Sequence, residues 1–141
     1  MKFKKEFILA SCIIIFIFSL EIITNYISNK SVEKISKGMN EILEYLMQNN
    51  NLNIQGKLSD EKKYMLNEKI GILKNEWIKE QNKLSMFAEH DELEKVTKCI
   101  IVLEENVKNG EYTSALEDGR EFLYWLEHFK DKDKIEIKTI F

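Results

Sequence analysis

Phe7 to Ile27 reads F-I-L-A-S-C-I-I-I-F-I-F-S-L-E-I-I-T-N-Y-I, a run of 21 residues with one charge. As an α-helix it spans about 31 Å, the thickness of a bilayer's hydrocarbon core. Lys2, Lys4 and Lys5 stand just before it, and cationic flanks stay in the cytoplasm. The stretch therefore predicts a cytoplasmic tail over residues 1–6, a single-pass transmembrane anchor in the cell membrane over 7–27, and an extracytoplasmic remainder. Tyr26 falls where an interfacial aromatic belongs.

Two competing readings fit less well. A cleaved signal peptide would use Phe7–Leu20 as its apolar core, but no small-x-small cleavage site follows: Ser28 has Tyr26 two residues before it, and Ser31 has Asn29. Leu9–Cys12, L-A-S-C, has the form of a lipoprotein processing box, yet the long apolar run comes after the cysteine rather than before it. Glu21 is the odd residue of the anchor. A carboxylate in mid-membrane costs about 2.5–3.5 kcal/mol, and less towards an interface. Either it reaches the outer headgroups or it faces a polar group on a partner helix, which makes it a partner-binding candidate.

Beyond the anchor the character changes. Residues 1–27 take three of the 21 basic and two of the 24 acidic residues, so the remainder carries 18 against 22. A mildly acidic, well-solvated domain has no bulk attraction for nucleic acid or anionic lipid. Arg120 is the only arginine, which argues against bidentate phosphate recognition and hence against a nucleotide site. There is no proline, as suits long uninterrupted helices. Cys12 and Cys99 are too differently placed to bridge, so the fold must hold without a disulfide.

Helical spacing fills most of the remaining chain. From Ser31 to about Asn49 the stripe is Val32, Ile35, Met39, Ile42, Leu43 and Leu46. Asn49–Lys57, N-N-N-L-N-I-Q-G-K, reads as a loop, so 28–58 is a membrane-proximal helix and its Asn-rich connection. Residues 59–141 form the rest of the domain. Ser59 caps a helix striped by Leu66, Ile70, Leu73, Trp77, Leu84 and Phe87, extending to about Glu89. Asp91 and Glu94 have capping-box spacing ahead of Leu93, Val96, Ile100, Leu103 and Val107. Asn109-Gly110 is a helix stop, and the next helix carries Ala115, Leu116, Phe122, Leu123, Leu126 and Phe129. So short a link makes an antiparallel pair. The apolar end, Ile135 to Phe141, is expected to dock back on the bundle. The expected fold class is all-α: an N-terminal transmembrane helix followed by a four-helix bundle, or by an extended helix with a helical hairpin domain.

The residues Asn75–Ser85 (N-E-W-I-K-E-Q-N-K-L-S), Glu89–Val96 (E-H-D-E-L-E-K-V), Gly110–Leu116 (G-E-Y-T-S-A-L) and Leu126–Phe129 (L-E-H-F) occur in an order and spacing that resembles the family called domain of unknown function 4363. With the anchor, the resemblance covers most of the chain and is weakest across Ser31–Leu58. It implies a short, membrane-anchored helical protein of Gram-positive, often spore-forming bacteria, without an established activity. It also implies a neighbour, since such proteins are often encoded beside a multi-span membrane protein.

The chemistry-bearing residues are few. His90 and His128 are the only histidines, each beside acids, and with Asp91 they are the candidates for a His₂-carboxylate metal site. No H-E-x-x-H or Cys-rich spacing supports it, and histidines at helix ends ordinarily cap or hydrogen-bond between helices. Tyr124 and Trp125 are partner-contact candidates, because their helix cannot bury every neighbour. Trp77 and Cys99 fall on apolar stripes and read as core. There is no nucleophile elbow and no phosphate-binding glycine loop. No catalytic residues and no cofactor are expected. The reading is an accessory or interaction module for a membrane partner; the alternatives are a metal-binding protein or metal-dependent enzyme using His90 and His128, and a domain sensing a small ligand.

Overall fold

The computed structural model describes residues 2–50, 58–86 and 88–138, with side chains over 5–49, 58–86 and 88–128. Described residues form four helices and no strand: α1 Lys2–Asn50, α2 Asp60–Leu84, α3 His90–Asn109 and α4 Tyr112–Lys138. The expected loop at 51–57, Phe87, the side chain of Phe129 and the docking of the C-terminal residues lie outside the described part.

α1 is a single helix of 49 residues, about 74 Å long. Its N-terminal part is apolar enough to cross a membrane, and the most apolar stretch of it is unburied among the described residues. Phe7, Ile15, Phe18 and Ile22 are all exposed there. The helix runs unbroken from the apolar stretch into the domain. The polar stretch Asn25–Ser31 stays helical, and Ser28 and Ser31 are already buried. Val32, Ile35, Met39, Ile42, Leu43 and Leu46 then enter the core, as their spacing required.

Each helix packs on the two beside it, α1 on α2, α2 on α3, α3 on α4, and α4 back on α1. This closes an up-down-up-down bundle rather than an arm with a hairpin. The shared core holds Trp77 and Phe122, whose rings meet edge to face at 6.1 Å, with Leu66, Ile70, Ile100 and Leu103 fully buried. Gly119 lets α4 approach α1 and α3: a Cβ there would lie 2.5 Å from Leu43 Cδ2 and 3.3 Å from Leu103 Cδ1.

The helix ends follow local chemistry. Ser59 Oγ accepts the Lys62 amide at 3.4 Å, with Asp60 and Glu61 in the first turn of α2. Gly110 closes α3 at φ 80°, a left-handed conformation natural to glycine. Two expectations shift. α2 ends at Leu84, short of Glu89. The cap of α3 is Glu89, without a side-chain capping bond, and Asp91 belongs to the first turn, where its charge suits the helix dipole.

Candidate functional site

Because α2 and α4 run back against α1, one end of the bundle gathers the first domain residues of α1, the end of α2, the start of α3 and the later part of α4. Two features of that end carry polar chemistry.

Between α1 and α2 lies a buried carboxylate. Glu80 is 4% exposed and accepts the Ser31 hydroxyl at 2.7 Å and the Lys83 ammonium at 2.8 Å. Lys34 stands 3.5 Å from the other oxygen and also pairs with Glu76 at 3.4 Å. Burial alone would raise the Glu80 carboxyl; hydrogen bonds from Lys83 and Ser31, with the charges of Lys83 and Lys34, hold it below the usual range. Spacing alone did not single out Glu80, although it stands between Trp77 and Leu84 on the α2 stripe.

The second feature is an aromatic cluster on the outer face of α3 and α4. Tyr124 and Trp125 meet edge to face at 5.3 Å, and Trp125 and His128 at 6.1 Å. Lys95 Nζ sits 4.2 Å from the centre of the Trp125 ring. Trp125 Nε1 donates to Glu121 at 3.2 Å, and His128 Nε2 lies 3.9 Å from Glu92. Tyr124 is 63% exposed while Trp125 is half-buried, so Tyr124 is the exposed one of the two candidates. A tyrosine and an indole fixed by rigid helices, with the indole already holding a cation, suit contact with another protein surface.

The remaining candidates have different surroundings. His90 opens α3 at an exposed position and Asp91 is exposed beside it, whereas His128 faces Glu92. Among the described residues no three His, Cys, Asp or Glu side chains converge as metal ligands would. Glu21 is exposed on the apolar part of α1. Trp77 is fully buried, its indole N–H donating to Thr97 at 2.9 Å. Cys99 is buried, and burial, with Glu121 and Asp118 nearby, pushes its thiol up to about 11, away from nucleophilic use. A surface groove of about 320 Å³ runs between α1 and α2, lined by Lys34, Lys37, Lys69, Glu41, Glu76 and Ile72.

No curated protein and no solved structure matches the chain. A family profile does, over residues 22–140, which takes in Ser31–Leu58 and reaches into the C-terminal part of the apolar run. The chain belongs to the family described as domain of unknown function (DUF4363).

Proposed function

We propose that the protein is a membrane-anchored accessory module, its bundle outside the cytoplasm, that acts by contact with a membrane protein rather than by catalysis. The observation that carries this reading is the continuity of α1. One helix serves as the apolar span and as a wall of the bundle core, so the domain is held rigidly at the bilayer. Continuity also favours an anchor over a cleaved signal, because cleavage near Ser28 or Ser31 would cut inside a packed helix. The lysines at positions 2, 4 and 5 favour a cytoplasmic N-terminus. Tyr124 and Trp125 offer the outer contact and Glu21 an intramembrane one, the partner being a multi-span membrane protein.

The test is cross-linking and affinity purification of the full-length protein from native membranes. Tyr124→Ala with Trp125→Ala, and separately Glu21→Leu, would be run alongside. One membrane partner, recovered by the wild type and weakened by either set, supports the reading. Recovery of the chain alone, or a partner indifferent to all three substitutions, overturns it. Labelling Ser114→Cys in intact cells with a membrane-impermeant maleimide checks the orientation, since absence of labelling places the bundle inside.

A further inference from the structure

α4 is longer than the bundle needs. Asn106 of α3 pairs with Asp118 of α4, and Glu92 faces His128, so the start of α3 is level with about Lys130. α4 nevertheless continues to Lys138, eight residues further and about 12 Å past the α3 end of the bundle. Its register against α1 gives the depth. Gly119 lies against Met39 and Leu43, and the two helices run in opposite directions. Nineteen residues on from Gly119 is Lys138, and nineteen back from Met39–Leu43 is Leu20–Thr24. The backbone of Lys138 is therefore level with the outer part of the apolar run that ends at Ile27.

The sequence changes character at the same depth. Lys130-Asp131-Lys132-Asp133-Lys134 is wholly charged and has positions level with the end of the run, where headgroups would lie. Ile135 and Ile137 follow, level with residues inside it and alternating with Glu136 and Lys138, and Ile140 and Phe141 come next in sequence. Register and polarity are independent observations, and on the transmembrane reading of α1 both fall at the headgroup–acyl boundary. A segment that passes from alternating lysine and aspartate to isoleucines spaced by Glu136 and Lys138 suits that boundary, since ammonium groups favour lipid phosphates, long charged side chains reach back to the headgroups, and isoleucine favours the upper acyl chains.

We propose that the last two turns of α4 are a second membrane contact, seated in the outer leaflet beside the anchor, with lipid headgroups and upper acyl chains as the occupant. The proposal rests on the transmembrane reading of α1. It replaces docking of the C-terminal residues on the bundle with docking on lipid, and it fixes the bundle against swivelling about α1.

The test uses the full-length protein with Cys12→Ser and Cys99→Ala, in vesicles of phosphatidylcholine with phosphatidylglycerol. An environment-sensitive fluorophore is attached in turn to Ile137→Cys, Ile135→Cys, Phe16→Cys and Glu111→Cys. Each is challenged with a lipid-borne nitroxide and with aqueous iodide. The proposal expects labels at 135 and 137 to be quenched several-fold more by the nitroxide than the label at 111, and to be shielded from iodide. Labels at 135 and 137 as open to iodide as that at 111 overturn it. Shielding from both quenchers also overturns it, since these positions would then be packed on protein. A label at 16 that escapes the nitroxide shows that the anchor reading itself has failed, and the proposal falls with it.

Discussion

Ser31 of α1 donates its hydroxyl to the buried Glu80 of α2 at 2.7 Å, at the level where the helix from the apolar run first meets the bundle. Val32 is fully buried immediately after it. The bond therefore fixes the rotation of α1 about its axis at the point where anchor becomes core. Its energy depends on charge, because a hydrogen bond to an ionised group contributes about 1.5–3 kcal/mol against about 1 for a neutral pair.

Glu80→Gln is expected to destabilise the protein at neutral pH by an amount that shrinks in acid. Lys83, Ser31 and Lys34 hold the folded carboxyl below its unfolded value of 4.5. The stabilisation is thus complete above that value and is lost as pH falls through the lower, folded one. Denaturation of the detergent-solubilised protein at a series of pH values checks it. A gap between wild type and variant that stays constant from neutral to strongly acidic pH would show that the charge has no part. Ser31→Ala should cost about 1–2 kcal/mol, since Lys83 still partners the carboxylate.

Two glycines inside helices should respond with opposite signs to the same substitution. A Cβ at Gly119 would sit 2.5 Å from Leu43 Cδ2 and 3.2 Å from Met39 Sδ, so Gly119→Ala forces α4 from α1 or shifts both side chains. Overpacking of this kind costs about 1–3 kcal/mol, more than the roughly 1 kcal/mol that alanine's helix propensity returns. At Gly71 a Cβ meets nothing within 4 Å, so Gly71→Ala should stabilise by up to about 1 kcal/mol. Melting temperatures of both variants decide it, and a shift in the same direction would mean that α1 and α4 approach less closely than those distances require.

Much of the fold was legible because the apolar spacing is regular. The stripes on α1 and α3 named buried residues, as did Ala115, Phe122 and Leu126 on α4, and Gly110 and Ser59 marked the end of α3 and the start of α2. Continuity of α1 was not legible. Asn25, Ser28, Asn29 and Ser31 are weak helix formers, and the helix passes through them with Ser28 and Ser31 buried, Ser31 bonded to Glu80 far along the chain. For the same reason Glu80 looked like another surface acid on a charged helix. Its partners Ser31 and Lys34 are more than forty residues away, and only the packing of α2 on α1 brings them together. At the aromatic cluster, residue type supplied candidates without geometry. The unequal exposure of Tyr124 and Trp125 depends on packing: Trp125 lies against the bundle core with Lys95 of another helix over its ring, while Tyr124 faces outward.

Thr97 should matter through its hydroxyl rather than its size. Its oxygen accepts the Trp77 indole N–H at 2.9 Å and donates to the Leu93 carbonyl at 2.8 Å, joining the fully buried tryptophan to α3. Thr97→Val keeps the shape but leaves the indole N–H unpaired, at a cost of about 1–3 kcal/mol. Thr97→Ser keeps the oxygen and should recover most of the loss. Equal destabilisation by valine and serine would show that the methyl packing, not the hydrogen bond, is what counts. Trp77→Ala removes the ring as well as its contact with Phe122 and should cost about 3–5 kcal/mol.

Cys99 should report global opening of the bundle. It is buried among α3 core residues, and a thiol pushed up to about 11 is almost entirely protonated at neutral pH. Burial and thiol acidity both slow alkylation in the folded state, and unfolding relieves both. In a Cys12→Ser background, maleimide should leave Cys99 unmodified for as long as the bundle stays closed. Its labelling should rise with denaturant in step with the loss of helical signal. Labelling well before that loss would mean that α3 and α4 separate locally while the helices persist, and the four helices would then not be one cooperative unit. Repeating the measurement with Gly119→Ala tests the connection directly, since loosening α4 against α1 should bring Cys99 labelling to lower denaturant alongside the helical transition.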